Sequence, residues 1–115
     1  MKEDLVYLEY ILESLRKILE YTNDFDRIAF LSDTKTQDAC IRQFEVIGET
    51  TKRLTMGLRV QFPQVPWKDM AGMRDKLIHD YIDVDMDVVW QTTTDDVPTL
   101  LAEIETIYET LSLND

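Results

Sequence analysis

Leucine and isoleucine recur through the first twenty residues at alternating spacings of three and four. Leu5, Leu8, Leu12, Leu15 and Leu19 form one stripe, and Ile11 and Ile18 widen it. This is the period of an amphipathic α-helix, predicted over residues 3–21. The run is shorter than about three heptads, so it reads as bundle core rather than as a coiled-coil seam. Residues 22–33 are rich in Asp and Asn and read as a connector, with Phe25, Ile28 and Phe30 tucked onto the core. Thr34 and Gln37 have the spacing of a capping box, which opens a second helix. Cys40, Phe44, Ile47, Thr51, Leu54 and Leu58 line that helix, with a break near Thr55 and Gly57. The loop Phe62–Trp67 contains Pro66, suited to be the first residue of a third helix. In that helix Met70, Met73 and Leu77 point inward, Ala71 and Ile78 flank them, and the end falls near His79–Tyr81. Asp83, Val84 and Asp85 start a last helix whose inner face is Val89, Thr93, Val97, Leu100, Ile104, Tyr108 and Leu111. Pro98 falls inside that pattern and is expected to bend the helix, because the apolar spacing continues across it. No stretch alternates like a strand. The expected architecture is all-α: an antiparallel up-and-down four-helix bundle with a short extra helical turn, one domain over residues 1–115.

Composition narrows the class. At 115 residues the chain is long enough for one hydrophobic core. Three glycines and three prolines are too few for a turn-rich sandwich or barrel. The single cysteine, Cys40, has no intramolecular disulfide partner and reads as a small core residue. No basic-then-apolar signal segment opens the chain, and no apolar run approaches about 18 residues. The expected setting is cytoplasmic, with no membrane.

The net charge of −11 conceals an asymmetry. All 12 Lys and Arg lie at or before Lys76, together with 13 acids; residues 77–115 hold ten acids and no Lys or Arg. Between Arg42 and Lys76 seven basic residues face four acids. The total charge disfavours nucleic acid as a partner, whereas the local charge of that segment permits it. The acidic C-terminal part reads as a solvated helix face, or else as a surface for a basic partner.

Chemistry concentrates in Met73–Tyr81, which holds the only histidine of the chain. Arg74 offers a planar, permanently charged fork suited to phosphate oxygens. His79 titrates near neutral pH and is a candidate proton-transfer group. Asp75, four residues before it, is placed to orient the imidazole and favour its charged form. Positions five apart stand roughly 140° from each other around a regular helix, so Arg74 and His79 do not share a face unless the helix loosens. An imidazole and a guanidinium together suit RNA cleavage without a metal, the first moving protons and the second stabilising charge on phosphorus. A lone histidine without a cysteine or carboxylate triad at ligand spacing disfavours zinc or two-metal chemistry. The plainer reading also stands: a histidine near a helix end is often a dipole partner, a helical arginine a solvated charge, and Tyr81 a buried or interfacial aromatic.

The run Arg74-Asp-Lys-Leu-Ile-His79-Asp-Tyr81 resembles the R-x4-H-x-Y motif of the HepT-like toxins, members of the HEPN superfamily. Lys35-Thr-Gln-Asp-Ala, Ile47-Gly-Glu, Pro66-Trp-Lys-Asp-Met-Ala-Gly-Met-Arg and Val84-Asp with Val89-Trp90 are similar to the family in order and spacing. Only Thr55–Gln61 is less typical. The resemblance implies an endoribonuclease toxin of a type VII HepT/MNT toxin–antitoxin module, metal-independent and without cofactor. It implies Arg74 and His79 as the catalytic pair, Asp75 as a supporting residue and Tyr81 as the acceptor for adenylylation by an MNT-type nucleotidyltransferase antitoxin. It also implies a homodimer whose two motifs face one cleft, with cellular RNA as substrate. The competing reading is a non-catalytic helical subunit that binds a nucleotide or a nucleotidyltransferase.

Overall fold

The computed structural model of the chain describes residues 2–79 and 83–114, the last three of the first stretch as backbone only. The described residues contain helices and connections and no strand. The elements are α1 (Lys2–Tyr21), α2 (Arg27–Leu31), α3 (Thr34–Lys52), α4 (Met56–Gln61), α5 (Trp67–His79), α6 (Met86–Gln91), a π-helical turn (Thr92–Asp96) and α7 (Val97–Leu113). Helix α3 packs against both α1 and α5, and α1 packs against α7.

The leucine stripe behaves as its spacing predicts. Leu8, Ile11, Leu12, Leu15 and Ile18 are buried, and Leu5 and Leu19 are half-buried at its ends. Each fully buried Leu or Ile contributes about 1.5–3 kcal/mol, so this one face of α1 supplies a large part of the core. The last turn of α1 closes on Thr22, whose hydroxyl donates to the Ile18 carbonyl at 2.8 Å. Asp24 then takes φ 66°, a left-handed conformation that Asp tolerates in a turn. Within the expected connector, Asp26 caps α2 by accepting from the Ala29 amide at 2.8 Å. Phe30 is buried and meets the Trp90 ring at 5.2 Å between centroids. Ile28 does not tuck in as expected: it is 75% exposed, because the one-turn helix turns Phe30 inward in its place.

The start of α3 lies one residue earlier than the capping-box spacing suggests. Asp33 is the cap, and its carboxylate accepts from the Thr36 amide at 3.0 Å. Gln37 does not reach back to the cap; its side-chain amide is buried and donates to the carbonyls of Phe30 and Leu31. Those two carbonyls end α2 and need donors, so Gln37 ties α2 onto α3. At the other end the break predicted near Thr55 is real, and a residue distant in sequence stabilises it. Asp4, buried at the start of α1, accepts from the Thr55 amide at 2.9 Å and from the Thr55 hydroxyl at 2.6 Å. The Thr55 oxygen in turn caps α4 through the Leu58 amide. Because the first turn of α1 meets the chain just beyond the end of α3, these two helices run antiparallel.

Helix α5 begins at Trp67, so Pro66 sits one position before the helix, its carbonyl accepting from the Met70 amide at 3.0 Å. The Trp67 ring is buried and donates to the Phe62 carbonyl at 2.8 Å. The C-terminal helix is not one smooth rod. The Val97 amide donates to the Thr92 carbonyl five residues back, which defines the π-helical turn just before Pro98. Pro98 has no amide to give the preceding turn, and the hydroxyls of Thr92, Thr93 and Thr94 bond back to the carbonyls of Val88, Val89 and Trp90. Threonine back-bonding and a missing donor favour a local register change over a simple bend. Val89, Thr93, Val97, Leu100 and Ile104 are buried as expected, and Ile107 joins them.

Candidate active site

A glycine determines how closely α5 lies on α3. A Cβ at Gly48 would stand 2.8 Å from the Arg74 amide nitrogen, 3.0 Å from the Arg74 Cβ and 3.1 Å from the Met70 carbonyl. Only a residue without a side chain allows that backbone approach. It sets Arg74 beside Glu49, the next residue of α3. The Arg74 Nε meets Glu49 Oε2 at 3.3 Å, and Nη1 lies 3.5 Å from the Asp75 carboxylate. The Arg74 side chain remains 40% exposed and lines a cleft of about 310 Å³ between α1, α3 and α5. Arg42 and Arg53 from α3 and its C-terminal cap, and Tyr7 and Tyr10 from α1, complete most of that cleft.

Asp75 is also held from α3. Both of its carboxylate oxygens accept from the Lys52 ammonium at 2.9 Å, so its described contacts run to α3 and to Arg74. Whether it also orients His79 falls outside the described residues, because the His79 side chain is not among them. His79 is the last residue of α5. A helix regular to that residue keeps positions 74 and 79 roughly 140° apart about its axis, so the pair does not line up on one helix face. Tyr81 also lies outside the described residues.

Among the described side chains the cleft contains Arg74 of the predicted site residues, and several that the motif does not include. Glu49 and Lys52 hold the Arg74–Asp75 segment from α3, and Tyr7 and Tyr10 reach in from α1. A signal for the first group is present in the sequence. Arg42, Glu45, Glu49 and Arg53 recur at spacings of three and four on the side of α3 away from Cys40, Phe44 and Ile47. Nothing near the motif points to α1. Cys40 takes no part: it is fully buried, and burial pushes its thiol up to about 11, leaving it protonated and unreactive near neutral pH. Among the described residues no three His, Cys, Asp or Glu side chains gather as metal ligands, and no helix is long and apolar enough to cross a membrane.

Two further clefts lie beside α5, one toward α6 and one toward α7. One, of about 570 Å³, is lined by Lys68 and Lys76 together with Asp69, Asp83, Asp85 and Asp96. The other, of about 300 Å³, has Asp69, Asp96 and Glu103 and no Lys or Arg. Both are net negative, whereas the Arg74 cleft sets three arginines against Glu45 and Glu49. A phosphate group is attracted only to the last of the three.

The chain is 44% identical over 99 residues to a protein of Thermococcus cleftensis named "Probable ribonuclease HepT", covering 86% of this chain and 90% of that one. It is 42% identical over 114 residues to "Putative RNase MJ0127" of Methanocaldococcus jannaschii, covering 99% of this chain and 94% of the relative. No solved structure gives a significant match. The HepT-like family model, described as "Ribonuclease HepT-like", matches residues 11–107. The chain belongs to the HepT-like ribonuclease family.

Proposed function

We propose that this protein is a metal-independent endoribonuclease that cuts RNA with Arg74 and His79. The observation that carries this reading is the Arg74 guanidinium, partly exposed in the one net-positive cleft of the three, on a helix whose last residue is the only histidine of the chain. In the reaction the ribose O2′ attacks phosphorus and the bond to O5′ breaks. An imidazole accepts the proton from O2′, a protonated imidazole gives one to O5′, and Arg74 stabilises the charge that grows on the phosphoryl oxygens. The products are a 2′,3′-cyclic phosphate and a 5′-hydroxyl end. The reaction works best with two proton-transfer groups and each chain has one histidine, so the working form proposed is a homodimer whose two motifs face a shared cleft. The scaffold is read as an antiparallel up-and-down bundle, which the Asp4–Thr55 tie supports for α1 and α3.

The biological setting proposed is a type VII toxin–antitoxin module in the cytoplasm. Its MNT-type nucleotidyltransferase silences the enzyme by adenylylating Tyr81, which places negative charge and bulk two residues from His79. Purified protein with labelled RNA and EDTA tests the chemistry. Wild type is expected to leave cyclic-phosphate ends, and Arg74→Ala and His79→Ala each to lose on the order of a hundredfold or more in rate. Tight binding of the nucleotidyltransferase with no cleavage by any form would instead leave a non-catalytic binding subunit.

A further inference from the structure

Arg42 and Arg53 have exposed side chains, and neither makes an ion pair or hydrogen bond among the described residues. Nearby cations are engaged: Lys52 by Asp75, Arg74 by Glu49, and Arg59 by the Thr51 carbonyl. Two uncommitted guanidiniums on a chain of charge −11 are conspicuous, since the surrounding acids could have paired with them. They lie 11 residues apart on α3 and its C-terminal cap, roughly 16 Å, and Arg74 lines the same cleft. Across the cleft Tyr10 is 52% exposed, and Tyr7, one turn before it, packs partly against the core. An exposed tyrosine ring beside unpaired arginines is the combination that holds an unstacked base and its flanking phosphates. The cleft volume of about 310 Å³ is in the range of small-ligand pockets and so admits a nucleotide unit.

We propose that Arg42, Arg53 and Tyr10 form a binding track for single-stranded RNA, the guanidiniums holding phosphates and Tyr10 stacking a base, which leads the strand to Arg74. The inference rests on the ribonuclease reading for its purpose, but its test does not require cleavage. A short fluorescent single-stranded RNA carrying 2′-O-methyl groups has no free O2′ nucleophile and serves as the binding probe. Arg42→Gln/Arg53→Gln is expected to weaken binding at low salt by at least tenfold. It should also reduce the slope of log affinity against log salt by about 1.4, the value for two lost phosphate contacts on a single strand. Tyr10→Ala should lose roughly tenfold and Tyr10→Phe should retain wild-type affinity, because the ring and not the hydroxyl stacks. Lys68→Gln/Lys76→Gln, in the net-negative cleft, serves as the comparison and should change affinity by less than about threefold.

The track is overturned if wild type does not bind the probe, if the arginine double variant binds as wild type does, or if the lysine pair matters equally. Preference for a duplex of the same sequence overturns it as well. Variants that bind normally while unmodified RNA is still cut would remove the track and leave the ribonuclease reading intact. Track-dependent binding by a protein that never cuts RNA would do the reverse.

Discussion

The ion pair between Arg74 and Glu49 joins two side chains that are 40% and 46% exposed. Pairs of that exposure contribute about 1 kcal/mol of stability at most, so its value lies in orientation. An arginine side chain has several freely rotating bonds, and carboxylates at 3.3 Å from Nε and 3.5 Å from Nη1 fix the plane of its guanidinium at the cleft. Glu49→Gln is therefore expected to lower kcat for RNA cleavage by roughly tenfold, with KM and the melting temperature nearly unchanged. Single-turnover kinetics beside a thermal melt separate these, and an unchanged kcat would reduce Glu49 to a surface charge. At this scale the sequence points to candidate groups but not to the side chains that hold Arg74. Arg74, His79 and Tyr81 stand out through the family resemblance of one short run, whereas spacing alone also allows a dipole partner, a solvated charge and a packed aromatic. Glu49 and Lys52 are more than twenty residues away from Arg74 and Asp75, and only packing brings them together. Asp75 is a mixed case: its helical spacing points to His79, whose side chain lies outside the described residues, and Lys52 on another helix also donates to both of its oxygens.

Helix α3 is the element on which the site is assembled, because one of its faces fills the core and another carries Arg42, Glu45, Glu49 and Arg53. Its contact with α5 depends on Gly48. An alanine in a helix interior normally gains up to about 1 kcal/mol over glycine. At Gly48 the added carbon would meet two backbone atoms and the Arg74 Cβ, none of which can rotate away. Overpacking of that kind costs about 1–3 kcal/mol, which outweighs the helix gain. Gly48→Ala is expected to destabilise the fold in urea titration and to shift Arg74 outward. Gly72→Ala in α5, where nothing lies within 4 Å, should stabilise by up to about 1 kcal/mol. Equal effects of the two would mean that α3 and α5 are not held at this distance. The long helices were legible because each has a buried stripe of period 3.6. The departures occur where a distant or compound cause acts: Asp4 ending α3 from across the fold, Gln37 bonding backward, and Pro98 with three threonines turning the expected bend into a π-helical turn.

The whole molecule measures 45 × 30 × 20 Å. Its short dimension is about two helix diameters, each roughly 10 Å, and the clefts described in a single chain are open to solvent on one side. Acid–base cleavage of RNA gains most from two proton-transfer groups and from exclusion of water, and one chain with one histidine supplies neither. A second copy across the Arg74 cleft would supply both. Its charge pattern also favours that side, because the ten acids of residues 77–115 would repel one another if the C-terminal parts were brought together. The decisive experiment uses dimers assembled from two differently tagged chains, one wild type and one His79→Ala, isolated by tandem purification. If each centre needs an imidazole from both protomers, the mixed dimer should fall close to the level of the His79→Ala homodimer. Activity of one half would mean that each protomer works alone with its own histidine. Full activity per dimer would mean that one imidazole suffices for both proton transfers, and the requirement for a partner's histidine would fail.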